Sequence, residues 1–511
     1  MKIVDGEEFA EAERRLFDSR GATEAGLMDE VALRCVELVE AEMSDADRLI
    51  CFVGNGHNGG DGWAIAHHFA KRHPASKVWV RAHPHSQGRK PLTAWQAMWC
   101  RRFPNIEVLS RDQVLHRALL EQYSNTVIVD ALTGLGARSG LEGDLKDLAA
   151  ELEQLQASIS SVVLSIDAPS GLSLQGPDQV QRGQVVKADW TATVGWPKKA
   201  LVLDGVDDYV GRIAVLPLPA FNDMLLTDQG LHLLEPTSLR GLLPRRDFSW
   251  HKGRAGRLAI VAGSPGYIGA AALTAFAGLK GGAGLIRVWT HPRARTELSA
   301  RLPLECMLAE SFEVADVLSS NPEVIVIGPG LGQSAESGVF LQNLLQVWKG
   351  PLVIDADALN LLSAEGSLLD LALKQERIIW TPHPGEMARL FPHLDRTNRW
   401  ATAREFCQRA AGVLVFKGSR TIVTQKDKPL YFNATGHPGM ATAGCGDVLS
   451  GLLGALVAQG LSEFDASKVG VWLLGRSAEA AMRTGETSLS LSATSLIDSL
   501  KKAQRHLQSW I

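Results

Sequence analysis

Short apolar runs that alternate with longer helical patterns restrict this chain more than any other feature. Leu49–Val53, Lys77–Val80, Thr126–Val129, Val162–Ile166, Trp190–Val194 and Arg212–Val215 are separated by helical stretches such as Gly62–Arg72 and Asp144–Gln156. A strand that is apolar on successive residues has both faces covered, so the spacing predicts a parallel sheet with helices on each side. The pattern restarts at Arg257–Ala262 and the helix Ile268–Lys280. It continues through Leu285–Val288, Val324–Ile327, Leu352–Ile354, Ile378–Trp380 and Val413–Phe416. Thr421–Thr424 and Pro429–Phe432 then read as a hairpin before the final helices.

A chain of 511 residues exceeds what one core usually supports, since single domains stop growing near about 300 residues. Between the two series lies LPLPAFNDMLLTDQG, with two prolines and no period. The expected organisation is therefore two doubly wound α/β domains, residues 1–217 and 231–511, joined by a linker at 218–230.

The net charge of −4 leaves no basic footprint, which excludes nucleic acid as a partner and points to small molecules. Six scattered cysteines form no CxxC pair, which suits a reducing cytosol and argues against zinc or disulfides. The first twenty residues carry no apolar core, and no run reaches the about 18 apolar residues of a membrane span. The expectation is a cytoplasmic protein without a membrane partner.

In the first half, Gly54-Asn55-Gly56-His57-Asn58-Gly59-Gly60-Asp61-Gly62 follows a predicted strand and opens a helix, where open sheets bind ligands. Glycines there let backbone amides approach a phosphate, and the helix start favours its charge. The GxGxxG it contains suggests a Rossmann turn, but the next strand ends in Val80-Arg81-Ala82 without the acid that holds a ribose. Arg81 would suit a 2′-phosphate instead. Two further strands end in Val129-Asp130-Ala131-Leu132-Thr133-Gly134-Leu135-Gly136 and Ser165-Ile166-Asp167-Ala168-Pro169-Ser170-Gly171. Asn58, Asp130, Asp167 and Ser170 thus meet at one sheet edge, where their oxygens suit a hard cation and a ribose or hemiaminal hydroxyl. Any one of these motifs could be a loop cap and a turn; three at successive strand ends make a site.

In the second half, no GxxxxGK[ST] follows the strand at Arg257, so the turn Gly263–Gly269 is not a P-loop. Gly328-Pro329-Gly330-Leu331-Gly332, Asp355-Ala356-Asp357-Ala358-Leu359-Asn360 and Thr381-Pro382-His383-Pro384-Gly385-Glu386 each end a buried strand. His383 alone reads as a structural histidine as readily as a site residue. The strongest element is Asn433–Asp447, which ends in Gly444-Cys445-Gly446-Asp447 before an apolar helix from Val448. Its glycines permit a nest of amides for a phosphate, with Asp447 as a base beside it.

GNGHNGGDG, VDALTGLG and SIDAPSG resemble the epimerase domain of the NAD(P)H-hydrate repair family, over about residues 1–217. The resemblance implies that His57, Asn58, Gly59, Gly60 and Asp61, with Gly134, Leu135, Gly136, Ala137, Arg138, Ser139 and Gly140, touch the hydrated dinucleotide. It implies that Asp167 contacts the substrate and that Asn58, Asp130 and Ser170 bind potassium; Asp167 or Asp130 would supply acid–base help. Arg138 stands where relatives often have a lysine, which leaves a lysine-specific proton role without its residue. The Gly444–Asp447 cluster resembles the ribokinase-like superfamily. With HKG, GPGLG, DADALN, TPHPGEM and KGS it is similar to the ADP-dependent NAD(P)H-hydrate dehydratases, over about residues 231–511. That resemblance implies an N-terminal Rossmann-like three-layer sandwich and a C-terminal ribokinase-like domain, with Asp447 as catalytic base. Ala271, Gly330, His383 and Asp447 would contact the hydrate. Lys417, Gly418, Ser419, Arg420, Thr421 and Gly446 would hold ADP, with Mg²⁺ accompanying the nucleotide. A homo-oligomer, a tetramer among the options, is the family expectation.

The expected function is epimerisation of R and S hydrates and ADP-dependent dehydration of the S form. Two other readings stay open on the motifs alone. One is a ribokinase-type small-molecule kinase fused to a nucleotide-binding domain, marked by ATP γ-phosphate transfer to an alcohol. The other is a nucleotide sensor that binds without turnover.

Overall fold

The computed structural model describes residues 1–20, 23–110, 113, 125–134, 140–173, 183–222, 224–395 and 397–508. They form two compact units, Met1–Gln229 and Gly230–Ile511.

Among the described residues the first unit holds seven strands: β1 Arg48–Val53, β2 Lys77–Ala82, β3 Ile106–Leu109, β4 Thr126–Ala131, β5 Ser161–Ile166, β6 Trp190–Val194 and β7 Arg212–Leu216. They pair in the order β3-β2-β1-β4-β5-β6-β7, all parallel. The alternation of side chains along β1 explains its unbroken apolar run. Leu49, Cys51 and Val53 join one core with Met28, Val36 and Phe69 from the helices Glu24–Glu42 and His57–Arg72. Ile50 and Phe52 join the opposite core with Leu148 and Leu152 from the helix Gly143–Ser158. Each such side chain contributes about 1.5–3 kcal/mol by leaving water. β3, outside the predicted strands, is an edge strand with two exposed residues, so it lacks the apolar run that marks a buried one.

The two units divide between Gln229 and Gly230, at the end of the segment 218–230 expected as a linker. Leu218 and Phe221 are buried in the first unit's core, with Phe221 edge-on to Phe9 at 5.4 Å.

Among the described residues the second unit has ten strands: β8 Leu231–Leu234, β9 Arg257–Val261, β10 Leu285–Trp289, β11 Met307–Leu308, β12 Val324–Ile327, β13 Leu352–Ile354, β14 Ile378–Trp380, β15 Val413–Phe416, β16 Ile422–Gln425 and β17 Leu430–Asn433. Their order is β11-β10-β9-β12-β13-β14-β15-β16-β17-β8. β16 runs antiparallel to β15 and β17, as a hairpin requires, and β8 closes the edge parallel to β17. The helices Ile268–Gly281 and Cys445–Ala458 bury Ala271, Ala275, Val448 and Leu452 with Ile260 and Val326 of the sheet. In both sheets the strand order reverses beside the first parallel strand, between β1 and β4 and between β9 and β12. Such reversals leave a crevice at the carboxyl ends of the strands. Among the described residues no helix is long and apolar enough to cross a membrane.

Candidate active sites

At the β1–β4 reversal the helix starts at His57, inside the glycine-rich motif rather than at Gly62 as its composition predicts. Packing overrides weak helix propensity here. A Cβ on Gly59 would lie 2.0 Å from the Gly54 carbonyl oxygen, and one on Gly60 would lie 2.5 Å from Met28 Cε. These two glycines therefore seat the helix on its neighbours. A Cβ on Gly56 would meet nothing within 4 Å. Gly56 caps the helix without a side-chain bond, so the helix start faces open space.

The crevice is a cleft of about 1640 Å³, lined among others by His57, Asn58, Asp61, Thr133, Gly134 and Asp167. Beneath it Asp130 is fully buried. Its carboxylate accepts from the Ser165 hydroxyl (2.7 Å), the Ser170 hydroxyl (2.5 Å), the Ser170 amide (2.8 Å) and the Leu132 amide (3.4 Å). Burial pushes Asp130 above the usual carboxylate range, and these donors work against it. The Thr133 amide donates to the Ser170 hydroxyl at 2.9 Å, so the two motif loops are stitched together. Asn58 is buried, yet both its side-chain oxygen and nitrogen lack a partner within the protein. A buried, unpaired amide lining the cleft fits an oxygen-seeking cation at its Oδ1.

Asp167 sits at the end of β5 with φ 68°, a strained conformation for a side-chain-bearing residue and one that clusters at functional sites. Its Oδ1 accepts from the Val194 amide at 3.2 Å and from the Lys198 ammonium at 2.6 Å. Lys198 is fully buried and also donates to the Val194 carbonyl at 2.7 Å and toward Thr193 Oγ1 at 3.3 Å. Burial, then the neighbouring Asp167, pushes Glu13 up to about 7. Burial, Asp167 and Glu13 drive Asp61 well up. Burial and repulsion from neighbouring carboxylates favour the protonated forms of Glu13 and Asp61, against the pull of the Lys198 ammonium on Glu13.

Of the expected residues, His57, Asn58, Asp61, Gly134 and Asp167 line one cleft, while Asp130 and Ser170 lie wholly buried. Gly140 packs against Gln184 instead. Leu135, Gly136, Ala137, Arg138 and Ser139 lie outside the described residues. Arg81 is not available for a phosphate: it is buried and pairs with Glu151 at 2.5 Å and with the carbonyls of Ser110 and Gln113. Glu13 and Lys198 carry none of the motifs, which is why sequence reading passed over them.

In the second unit Gly444, at φ 92°, caps the helix Cys445–Ala458 and turns the chain so that Asp447 falls in its first turn. Asp355 ends β13 and is fully buried. It accepts from the Lys417 ammonium and the Ser450 hydroxyl, both at 2.7 Å. Burial pushes Asp355 up, but Lys417 and Ser450 outweigh it and hold the carboxyl below its usual range. Asp447 goes the other way: burial, then Asp355, pushes it up to about 7, with Lys417 opposing. Burial alone would lower Lys417, yet Asp355 and Glu386 keep its ammonium above the ordinary range. Two carboxylates with separated affinities for a proton mark an acid–base site. Ala356, next to Asp355, has φ 48°, so strain accompanies the carboxylate in this unit too.

The Lys417–Thr421 loop is tied from behind. Arg399 donates to the carbonyls of Phe416, Lys417 and Arg420 at 3.1 to 3.4 Å. Gly418 and Ser419 are exposed, Arg420 is buried, and Thr421 donates to the Gly418 carbonyl at 3.1 Å. Gly446 lies beside the Lys417–Asp355 pair. The Lys417 ammonium is engaged by Asp355, with Glu386 at 3.6 Å, so it brings charge balance to Asp447 besides any contact with a nucleotide. Nδ1 of His383 caps the helix Pro384–Leu390 by accepting from Gly385 and Glu386 amides, and its Nε2 lies 3.5 Å from Glu386 Oε1. Gly330 holds φ 57° and its carbonyl accepts from Ser264. The Ala271 side chain is wholly buried, so it shapes the core behind the site instead of facing a ligand. Arg399 was missed in the sequence because it acts through a neighbour, and Glu386, though it stands in the Thr381–Glu386 motif, was given no role there for the same reason.

A family model described as NAD(P)H-hydrate dehydratase matches residues 258–502, and one described as YjeF-related protein N-terminus matches residues 24–200. The chain is 32% identical to the bifunctional NAD(P)H-hydrate repair enzyme Nnr of Moorella thermoacetica, over 99% of this chain and 97% of that protein. It is 33% identical to the enzyme of the same name from Coxiella burnetii, over 94% and 95%. Among solved structures it is similar to the ADP/ATP-dependent NAD(P)H-hydrate dehydratase of Bacillus subtilis, at 26% identity and a TM-score of 0.48, over 55% of this chain and 99% of that one.

Proposed function

This chain belongs to the bifunctional NAD(P)H-hydrate repair enzymes, and from that membership we propose how its residues divide the work. It is an epimerase and a dehydratase in one polypeptide. The first unit interconverts R and S at C6 of the hydrated nicotinamide, and the second dehydrates the S form to NAD(P)H while ADP becomes AMP and phosphate.

The split between Asp355 and Asp447 carries the reading of the second unit. Asp447, ready to accept a proton near neutrality, takes it from the C6 hydroxyl as that oxygen attacks the β-phosphate of ADP. The C6–O bond then breaks, its electron pair leaves with the phosphate, and the ring nitrogen lone pair forms the C=N bond. Loss of a C5 proton completes NAD(P)H. The helix start at Gly444–Gly446 faces the developing phosphate charge, and Lys417 keeps Asp355 from competing for the proton. His383, Gly330 and the exposed Gly418 and Ser419 bound the substrates' space. Mg²⁺ accompanying the nucleotide would supply charge neutralisation on its phosphates.

In the first unit, His57, Asp61, Gly134 and Asp167 bind the hydrate, and Asn58, with Asp130 and Ser170 below it, holds potassium. Bound potassium would supply fixed positive charge over the Asp130 floor. Asn58→Ala is expected to abolish the potassium-dependent rise in melting temperature and flatten the potassium dependence of epimerisation. Both are read in titrations at constant ionic strength. A cytoplasmic location and a homo-oligomeric assembly complete the proposal; the free thiols and the exposed Trp95 and Met98, one helical turn apart, support them.

The direct test mixes purified protein with R and S hydrates of NADH, ADP and potassium and follows reduced-nicotinamide absorbance. Full recovery of NADH from the mixture is expected; recovery of the S half alone would remove the epimerase assignment, and no ADP-dependent recovery would remove the dehydratase one.

A further inference from the structure

The helix Gly6–Arg20 belongs to no motif, yet it forms one wall of the epimerase cleft. It buries Phe9 and Leu16, and Glu13 lies four residues after the first and three before the second, so the three share one helix face. Phe9 sits against the Lys198 ammonium, 4.2 Å from its ring centre, and edge-on to Phe221. This anchoring presents Glu13 to the cleft that Asp167 lines from the sheet edge. Asp167 has Lys198 at 2.6 Å, whereas Glu13 has no hydrogen-bonded or ion-paired partner among the described residues. A largely buried carboxyl with no partner, set in a ligand cleft, has no structural role to explain it.

Resting on the epimerase reading of this unit, we propose that Glu13 is a catalytic residue that exchanges a proton with the C6 oxygen of the hydrated nicotinamide, working with Asp167 as the second acid–base group. In one direction Glu13 gives its proton to the C6 hydroxyl. The C6–O bond breaks, its electron pair leaves with the oxygen as water, and the ring nitrogen lone pair forms a C=N bond. Water then adds to the other face of C6. Its oxygen pair makes the new C–O bond, the C=N pair returns to nitrogen, and the released proton passes to Asp167. The reverse reaction starts from protonated Asp167 and ionised Glu13. Exchange of both carboxyls with bulk water restores the starting state, so no proton is gained or lost overall.

The charged groups facing Glu13 are Asp167, Lys198, Glu24 and Asp61, with His57 3.9 Å from Glu24. Burial, then Asp167, pushes Glu13 up to about 7, so it can act as acid or base near neutrality. The pair must hold one proton between them. Epimerisation should therefore fall as pH rises above about 7, where Glu13 loses it.

Conversion of purified R hydrate of NADH to the S form, followed by NMR without ADP, reads this half alone. Glu13→Gln, which keeps volume, is expected to lower kcat about 10²–10³-fold with KM changed by no more than about threefold. It should also erase the decline above neutral pH, while Glu13→Asp restores part of the rate. A Glu13→Gln enzyme with wild-type kcat and pH profile overturns the proposal. So does a kcat loss that comes with a lowered melting temperature and an unchanged pH profile, since that signals a structural role. Wild-type protein that fails to epimerise the hydrate defeats the reading of the unit, and this is seen before any variant is made.

Discussion

Asp447→Asn is expected to lower ADP-dependent dehydration of the S hydrate about 10³-fold or more, while epimerisation by the same protein stays at its wild-type rate. The loss corresponds to about 4 kcal/mol of transition-state stabilisation, within the range for a removed general base. Because Asp447 must be ionised to act and sits at about 7, wild-type kcat/KM should rise as pH climbs through that value. Stability runs opposite. A carboxyl whose folded-state affinity for a proton exceeds its unfolded one destabilises the fold increasingly as pH rises from about 4 to about 7. From 3.8 to about 7 is roughly three units, or up to about 4 kcal/mol at 1.36 kcal/mol each. The neutral Asn variant should therefore melt higher than wild type at pH 8 and alike at pH 4. Calorimetry at the two values checks the sign. An active Asn variant would remove Asp447 from the chemistry.

The sheets were legible because buried parallel strands write themselves as apolar runs: β12, β13, β14 and β15 lie where the sequence puts them. What escaped was set by edges and packing. β3 and the two-residue β11 are partly exposed and short, and β8 pairs with a strand almost 200 residues away. The helix at His57 was hidden by glycines whose purpose is contact with Gly54 and Met28, which no local propensity records. The sites divide in the same way. Motifs at strand ends delivered Asn58, Asp130, Asp167 and Asp447. Glu13, Lys198 and Arg399 reach the sites through tertiary pairing, and only the Phe9–Leu16 stripe hinted that Glu13 was embedded in an apolar helix face.

Lys198→Met is expected to destabilise the first unit by about 3–5 kcal/mol and to remove most epimerase activity, with dehydration intact. The methionine fills the ammonium's stem volume, so the effect isolates the charge and its hydrogen bonds. Lys198 is fully buried and its donors go to Asp167, the Val194 carbonyl and Thr193. Taking the ammonium away leaves the Asp167 carboxylate, 20% exposed, and the carbonyl without that partner. It also frees the strained Asp167 backbone from the contact that over-determines it, and withdraws the cation from the Phe9 ring. Lys198 is thus a positioning residue: it holds Asp167 and, through Phe9, the helix that carries Glu13. A double variant separates the two losses. Adding Asp167→Asn to Lys198→Met removes the orphaned charge and should recover about half of the lost stability, since the neutral amide needs no counter-ion. It should recover no activity, because the amide cannot exchange the proton. Denaturant melts and R-to-S conversion measured on the same four proteins decide it: additive stability losses would show that the two side chains are not coupled, and the pair would then hold neither the fold nor the cleft together.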